Sequence, residues 1–312
     1  MEIVRGVESL PLDRGPQVAT VGFFDGVHIG HQRVIGRTVE VAREKRLPPV
    51  AVTFNRHPRE ILTPGREPRL LTTTERKAKL IEALGVEILV ILEFTEEFSK
   101  WSPKEFARRV LVEGLQVEHA VVGANFTFGH KAMGTVEVLK ELGIELGFAV
   151  EGVELLQLDG RRVSSSSIRD ALSEGSLDWP ERALGRRYAV DGEVVSGHGR
   201  GDGLGYPTAN LRTWPRLLLP GNGIYAGRAS VGGATYAAAI DVGTNPTFGV
   251  EPLHVEAFLL DFEGDLRGER LDVEFWARLR DEVKFDSPEE LTRQIADDVE
   301  RTRAIAAPTS AR

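Results

Sequence analysis

Short apolar segments alternate with amphipathic segments through the first half of the chain. The apolar segments are predicted to be strands, at 17–22, 50–54, 87–94 and 119–123. Helical periodicity follows over 31–45 and 74–84. A capping box at Ser102–Glu105, with proline at the first helical position, predicts one more helix start. This alternation predicts a parallel sheet covered by helices, with 119–123 as its last strand.

From about Arg187 the pattern changes to short strands separated by glycine turns. The segments 223–231 and 234–243 flank Gly232-Gly233, which is a strong hairpin signal. Short strands of this kind predict a closed or nearly closed antiparallel barrel.

A terminal helix and a domain boundary complete the predicted organisation. Ser287 caps an amphipathic helix over about 288–305. A short helix around 167–175 precedes the barrel, so the boundary is expected near 176–186. Two domains are in keeping with the length of 312 residues.

Composition narrows the function classes. The formal net charge is −8, which argues against a general binder of polyanions such as nucleic acid. The absence of cysteine excludes disulfides, thiolate metal sites and a thiol nucleophile. The first residues lack the apolar core of a secretion signal, and no apolar stretch is long enough to span a bilayer. We therefore expect a cytoplasmic location.

The segment GFFDGVHIGH (22–31) follows a predicted strand and precedes a predicted helix. Ligands of open α/β sheets bind at the carboxyl ends of strands, and a helix N-terminus favours phosphate. Gly26 and Gly30 would let the backbone approach a triphosphate. His28 and His31 share a helix face and can donate hydrogen bonds to phosphate oxygens. Two alternatives remain: capping or solvent-facing histidines, and a zinc site, for which no further ligands lie at useful spacing.

A second glycine-rich segment, GRGDGLGYPTAN (199–210), lies just after the first predicted barrel strand. Such a loop can wrap closely around a nucleotide, although it is not a P-loop because GxxxxGK[ST] is absent. A flexible hairpin loop is the alternative for its glycine-rich part.

Both segments resemble one family. GFFDGVHIGH resembles the HxGH signature of nucleotidylyltransferases and, in its longer form, the adenylyltransferase half of bacterial bifunctional riboflavin kinase/FAD synthetases. PTAN (207–210) resembles the hallmark of riboflavin kinases. Further segments follow in the order of the family: TFNRHP (53–58), VVGANFTFGHKAMG (121–134), VSSSSIR (163–169), GTNPTFG (243–249), DLRGERL (265–271) and RDEVKFDSPEELTRQIADD (280–298). The resemblance covers about 17–175 and 187–303.

The resemblance implies an α/β chain of two domains. Residues 1–180 would form a Rossmann-like FMN adenylyltransferase domain with a parallel sheet. Residues 185–306 would form a six-stranded antiparallel β-barrel of the riboflavin kinase fold, with a terminal helix. The implied activities are phosphorylation of riboflavin to FMN and transfer of AMP from ATP to FMN, which gives FAD and pyrophosphate. Mg²⁺ is the implied cofactor and ATP a substrate. Small molecules (riboflavin, FMN, FAD, ATP, ADP and pyrophosphate) are then the partners, and a homo-oligomer stays open.

The resemblance also implies the site residues. Those that would bind nucleotide are Gly22, Phe23, Asp25, Gly26, His28, Gly30, His31, Ser164, Ser165, Arg169, Gly199, Gly201, Gly205, Thr208 and Asn210. Thr208 and Asn210 would also hold Mg²⁺, which prefers oxygen ligands. Those that would bind flavin are Asn125, Phe128, His57, Arg280 and Phe285. Glu256, His28 and His31 would be catalytic.

Two of these assignments have plainer alternatives. A carboxylate is the natural base for the riboflavin 5′-hydroxyl, and partial burial of Glu256 could raise its pKa toward a useful range. A strand can also carry one solvent-facing glutamate for solubility alone. The serines of VSSSSIR are preferred helix N-caps and need no further role.

The chain departs from the family pattern at several positions. Asn55-Arg56 replaces Asp-Pro, Asn125 replaces aspartate, Ser166-Ser167 replaces Thr-Arg and Arg267 replaces tyrosine. Two alternatives to the bifunctional enzyme therefore stay open. One is a kinase with a weakened adenylyltransferase domain, and the other is a non-catalytic flavin-binding protein.

Overall fold

A computed structural model describes residues 1–10, 14–196, 206–243 and 254–307. The chain divides into two compact units, Met1–Ser165 and Ser166–Arg312. Within the described ranges, none of the helices combines the length and the apolar character that crossing a bilayer requires.

The first unit is built on a six-stranded sheet. Its strands are β1 (Glu2–Arg5), β2 (Gln17–Val21), β3 (Pro49–Phe54), β4 (Ile88–Leu92), β5 (Val117–Gly123) and β6 (Ala149–Val153). They lie in the order β1-β4-β3-β2-β5-β6, and all neighbouring pairs are parallel. Every residue of β2 and β4 is buried, as expected for a parallel sheet that is covered on both faces. The predicted parallel sheet is confirmed.

Helices connect the strands of this sheet. They are α1 (Ile29–Lys45), α2 (Arg59–Leu62), α3 (Thr74–Ala83), α4 (Glu96–Ser99), α5 (Pro103–Phe106) and α6 (Val136–Leu146). The predicted capping box is confirmed at α5: the Ser102 amide donates to Glu105 Oε2 (3.1 Å), and the Glu105 amide donates to Ser102 Oγ (3.2 Å). A π-helical stretch, Ala107–Gly114, continues α5, and a short hairpin of β7 (Gln157–Leu158) and β8 (Arg161–Arg162) follows β6.

The strand order places one turn at the point where the chain changes direction across the sheet. From β2 the chain proceeds through β3 and β4 on one side, and it returns to β5 on the other side of β2. Ligands of open α/β sheets bind outside the carboxyl ends of the strands at such a point. The turn that follows β2 contains Asp25, Gly26 and His28, so the fold brings the predicted phosphate segment to this position.

The edges of the sheet differ from the prediction. The expectation that 119–123 is the last strand is wrong, because β6 pairs in parallel with β5, and β1 was not predicted either. Most residues of these two strands are exposed or half-buried. An edge strand lacks the continuous apolar run that identifies a central parallel strand, and Gly152 weakens the pattern of β6 further.

The second unit contains a closed antiparallel barrel. Two short helices, α7 (Ser165–Ser173) and α8 (Asp178–Leu184), precede its six strands: β9 (Tyr188–Val195), β10 (Ala209–Thr213), β11 (Gly223–Val231), β12 (Ala234–Gly243), β13 (His254–Leu259) and β14 (Arg270–Arg280). The order is β10-β13-β12-β11-β14-β9, and β9 pairs with β10 to close the barrel. The predicted hairpin is confirmed, since Gly232 and Gly233 join β11 to β12 with φ of 57° and 83°.

Alternation along β13 separates the barrel interior from its outer wall. Val255, Ala257 and Leu259 are buried, and His254 and Glu256 alternate with them. The final helix α9 (Pro288–Ala306) packs against β11, β12 and β14, which confirms the predicted terminal helix and its Ser287 cap. The pairing register of the strands therefore determines which polar side chains lie next to each other on the outer face of the barrel.

One carboxylate in this wall is half-buried, and one of its oxygens is inaccessible to water. Asp241 on β12 lies directly opposite Glu256 on β13, and Asp241 Oδ1 has no partner among the described residues. Burial, together with the charges of Glu282 and Glu256, raises the pKa of Asp241 to about 7. The folded barrel thus binds a proton that the unfolded chain has lost.

We predict that Asp241→Asn stabilises the barrel at pH 8 but much less at pH 5. The folded-state pKa of this acid lies above its unfolded value, so its favourable contribution is complete below about pH 4 and is lost as the pH rises through about 7. A shift of this size corresponds to a few kcal/mol, on the order of 2–4, at pH 8. Urea unfolding at both pH values measures the difference.

The matched control is Asp265→Asn, an exposed position where the Arg267 hydrogen bond lowers the pKa of the carboxyl to about 2. It should give no stabilisation at pH 8. An Asp241→Asn gain that is equal at pH 5 and pH 8 would contradict the assignment.

Candidate active sites

The turn after β2 is fixed by a buried carboxylate. Asp25 is only 3% exposed, and its Oδ1 accepts the backbone amides of Leu71 (2.9 Å) and Thr72 (3.3 Å). The Gly26 amide donates in turn to Thr72 Oγ1 at 3.2 Å. The predicted nucleotide residue Asp25 therefore holds the turn to the segment that precedes α3.

The turn has a strained backbone that explains two of its glycines. Gly26 has a φ of 78°, and its neighbours Phe24 and Val27 have φ of 54° and 41°, which side-chain-bearing residues seldom adopt. At Gly30 a Cβ atom would lie 3.1 Å from the His28 ring. Gly26 allows the shape of the turn, and Gly30 leaves room for the imidazole.

The two predicted catalytic histidines are stacked. Their ring centroids are 3.6 Å apart, with planes inclined by 17°. His28 is the N-cap of α1, and its Nδ1 accepts the His31 amide at 3.2 Å. Because Nδ1 accepts, we infer that neutral His28 carries its proton on Nε2. His28 therefore does cap the helix, as one of the alternatives expected, and its Nε2 is still available as a donor.

Burial and nearby charges keep the His31 imidazole neutral. The pKa of His31 lies well below its ordinary value, chiefly because of burial and then because of His28 and Lys77. Lys77 on α3 was not predicted as part of the site. Its Nζ donates to the Phe23 carbonyl (2.9 Å) and to Thr53 Oγ1 (3.1 Å). A lysine in an amphipathic helical pattern gives no sign in the sequence that its amine is buried.

The serine segment reaches the same turn. Ser165 Oγ donates to the Asp25 carbonyl at 2.9 Å, which joins the second nucleotide motif to the first within the first unit. The serine run lies at the start of α7, as the capping alternative expects. Arg169, in the second unit, donates to Ser166 Oγ at 3.3 Å.

The predicted flavin residues of the first unit differ in their surroundings. The His57 ring meets the Phe23 ring edge-on at 4.9 Å. Phe128 is buried in the core, where it stacks on Phe126 with centroids 5.3 Å apart. Asn125 is exposed on the turn after β5. Phe128 is thus a packed core residue, and Asn125 is accessible to a ligand.

One departure from the family pattern has a structural role. Asn55 follows β3, and its Oδ1 accepts the Phe94 amide at 3.1 Å. The amide of Asn55 donates to the Leu92 carbonyl at 3.0 Å. Asn55 therefore links the carboxyl ends of β3 and β4.

The second cluster lies on the outer wall of the barrel. Thr208 Oγ1 donates to Glu256 Oε2 at 3.0 Å, and Asn210 on β10 lies directly opposite Glu256 on β13. His254 Nε2 is 3.5 Å from Glu256 Oε1, and this contact raises the pKa of His254. The structure thus brings together Thr208, Asn210 and Glu256, which are separated by 48 residues of sequence at most.

A cavity of about 420 Å³ adjoins this cluster. Thr208 and Asn210 line it, together with Phe262, Asp265 and Arg267. Arg267, which replaces the usual tyrosine, forms a two-point ion pair with Asp265 in which Nη2 and Oδ2 are 2.6 Å apart. The cavity therefore has oxygen ligands and an arginine among its lining groups.

The remaining predicted flavin pair lies at the end of β14. The Arg280 guanidinium is 5.7 Å from the Phe285 ring centroid, and its Nη2 is 2.8 Å from Asp298 Oδ2 on α9. The predicted nucleotide residues Gly199, Gly201 and Gly205 lie outside the described residues, as does most of the segment 243–249.

Family models match both units. The model for FAD synthetase matches residues 11–167, and the model for riboflavin kinase matches residues 184–306. The two matches together span nearly the whole chain in the predicted order, and they confirm both the recognised family and the predicted fold class.

Full-length relatives support the same assignment. The bifunctional riboflavin kinase/FMN adenylyltransferase of Pseudomonas fluorescens is 39% identical over 313 residues, with 100% of each chain covered. That of Bacillus subtilis is 38% identical, with 92% of this chain and 91% of the relative covered. A crystal structure from Streptococcus pneumoniae, described as a macrolide-efflux protein, superposes with a TM-score of 0.89 at 30% identity and covers 97% of this chain and 99% of its own. The chain belongs to the bifunctional riboflavin kinase/FMN adenylyltransferase family.

Proposed function

We propose that this chain phosphorylates riboflavin to FMN and then transfers AMP from ATP to FMN, giving FAD and pyrophosphate. The observation that carries the proposal is that two separate polar clusters, the stacked His28–His31 pair and the Thr208–Asn210–Glu256 group, occur in two separate folded units of one chain. We assign residues 1–180 to AMP transfer and 185–306 to the kinase. ATP as the common substrate favours a cytoplasmic location.

The kinase step needs a base and a way to neutralise phosphate charge. Glu256 would accept the proton of the riboflavin 5′-hydroxyl. The hydroxyl oxygen would then attack the γ-phosphorus of ATP, with ADP as the leaving group. The Thr208 hydroxyl lies 3.0 Å from Glu256, which orients the carboxylate next to the cavity. This proximity supports Glu256 as the base in preference to a solvent-facing glutamate.

The oxygen ligands beside the cavity fit Mg²⁺. Thr208 and Asn210 supply a hydroxyl and an amide oxygen, which suit a hard cation. Among the described residues no group of three histidine, aspartate or glutamate side chains could hold a metal. When bound, Mg²⁺ would neutralise charge on the transferred phosphoryl group.

AMP transfer needs no covalent intermediate. An oxygen of the FMN phosphate would attack the α-phosphorus of ATP, and pyrophosphate would leave. The stacked His28 and His31 supply imidazole N–H donors for the phosphate oxygens, at the N-terminus of α1. FMN phosphate is already ionised, so positioning and charge stabilisation suffice.

One incubation tests the proposal against its alternatives. The purified protein is incubated with riboflavin, ATP and Mg²⁺, and the flavins are separated by chromatography. FAD supports the bifunctional enzyme. FMN alone would favour a kinase with an inactive first unit, and unchanged riboflavin would favour a flavin-binding protein without turnover.

We expect Glu256→Gln to stop FMN formation and to leave the conversion of FMN to FAD largely intact. The amide cannot accept the hydroxyl proton, so the rate should fall by about 10²–10⁴-fold. Glu193→Gln, on β9 of the same barrel, is the control and should retain kinase activity. Loss of both activities in a folded Glu256→Gln protein would count against two sites.

His28→Ala should show the reverse pattern, with FAD formation reduced by roughly 10²–10³-fold and FMN formation retained. The substitution removes both the Nε2 donor and the cap of α1. His119→Ala on β5 is the control and should keep both activities. A normal rate of AMP transfer in His28→Ala would rule out the imidazole role.

Thr208→Val should increase the Mg²⁺ concentration required by the kinase step. Valine keeps the shape of threonine but removes the oxygen ligand and the hydrogen bond to Glu256. We expect the required Mg²⁺ concentration to rise by about tenfold or more, because the loss of one group that supports a metal site has an effect of about that size. Thr213→Val, at the other end of β10, is the control. An unchanged Mg²⁺ dependence would contradict the ligand assignment, and the Mg²⁺ dependence of AMP transfer should not move.

A further inference from the structure

Lys77 is a buried ammonium that the proposed chemistry does not use. It lies on α3 and is only 3% exposed. Lysine is almost never fully buried unless it is paired, because desolvation of its charge is costly. Its hydrogen-bond acceptors are two neutral oxygens, the Phe23 carbonyl at 2.9 Å and Thr53 Oγ1 at 3.1 Å. A group that is this expensive to bury points to a role beyond packing.

The contacts of the ammonium join three elements at the first site. Phe23 starts the turn that leads to the stacked histidines, Thr53 lies near the carboxyl end of β3, and Lys77 itself belongs to α3. The ammonium also lies 4.3 Å from the centroid of the Phe23 ring, a cation–π contact. The Lys77 ammonium thus links Phe23, at the start of the turn, to β3 and to α3.

The charge of the ammonium also acts on the His31 imidazole. Its charge is one of the causes that lower the pKa of His31, after burial and His28. Burial lowers the pKa of Lys77 itself to about 8, and the Asp25 carboxylate opposes this shift. The surrounding titratable side chains belong to the turn, to α1 and to the segment after β3: Asp25, His28, His31 and His57.

We propose that Lys77 is a positioning residue for AMP transfer, whose ammonium anchors the turn after β2 and, through its charge, keeps the stacked His31 imidazole neutral. The inference rests on the proposed function of the first unit. A neutral His31 keeps the stacked geometry, because two imidazolium rings 3.6 Å apart would repel each other. The donors are then fixed before ATP binds, which is the condition for preorganised charge stabilisation.

The test compares Lys77→Met with Lys77→Arg in the full chain. Methionine fills a similar volume without charge, whereas arginine keeps the charge in a different shape. The control is Lys79→Met, an exposed lysine on the same helix. Two quantities are measured for each protein: kcat/KM for FMN-to-FAD conversion between pH 5.5 and 9, and the pKa of His31 by NMR titration of its imidazole. Formation of FMN from riboflavin by the second unit reports whether each chain is folded and active.

We expect Lys77→Met to lower kcat/KM for AMP transfer by about 100-fold, the cost of a small misplacement of reacting groups. Its His31 pKa should rise, and the acid limb of its pH profile should move to higher pH by the same amount. Lys77→Arg should be slow as well but should keep the His31 pKa of the unsubstituted protein. Lys79→Met should leave both measurements unchanged.

Two results would overturn the inference. One is AMP transfer by Lys77→Met within about twofold of the unsubstituted protein. The other is a slow Lys77→Met whose His31 pKa and pH profile are unchanged, since a merely structural role would give that result. If methionine prevents folding, the arginine variant still decides, because a raised His31 pKa there would exclude control by charge. An unsubstituted protein that makes FMN but no FAD would instead contradict the proposed function, and the His31 titration would still test the electrostatic link.

Discussion

Hydrogen bonds to the carboxylates of Asp25 and Glu256 hold the two candidate sites in place, and both sites depend on that constraint. A polar group removed from water must find a partner or lose several kcal/mol, of order 2–7. Buried Asp25 meets this condition with two backbone amides, and half-buried Thr208 donates to Glu256. These bonds set the positions of the side chains that would meet phosphate. The position of each site is therefore set by hydrogen bonds within the folded unit that contains it.

The two units satisfy the constraint in different ways. In the first unit, a strained turn at the reversal point of a parallel sheet directs imidazoles and a helix N-terminus to one place. In the second unit, the register of an antiparallel barrel brings Asn210 and Glu256 opposite each other from different parts of the chain. Each arrangement suits its proposed reaction. AMP transfer needs stabilisation of charge, and the kinase needs a base next to metal ligands.

Much of the fold followed from the sequence because its signals are local. The central strands are continuous apolar runs, α1 and α3 have helical periodicity, and Gly232-Gly233 marks its hairpin. The edge strands β1 and β6 were missed because half-exposed strands lack that run. Strand β10 was missed because Thr208 and Asn210 read as part of a glycine loop, and only pairing with β9 and β13 defines the strand.

The sites were predictable only in part, for a related reason. Motifs identified His28, His31, Thr208 and Glu256 by type and order. The stacking of the imidazoles, the burial of Lys77 and the burial of Asp241 Oδ1 away from any hydrogen-bond partner in the described part of the chain arise from tertiary contacts that no spacing encodes. Phe128 shows the opposite case, in which a residue matched to a motif turns out to be part of the core.

The central claim is that the two reactions occur at independent sites, and complementation between two inactivated chains tests it most directly. Glu256→Gln and His28→Ala proteins are mixed with riboflavin, ATP and Mg²⁺, and FAD is measured. The account predicts that the mixture forms FAD, because FMN made by one chain is used by the other, while neither protein alone does so at a comparable rate. A mixture of folded variants that forms FMN but no FAD would contradict it.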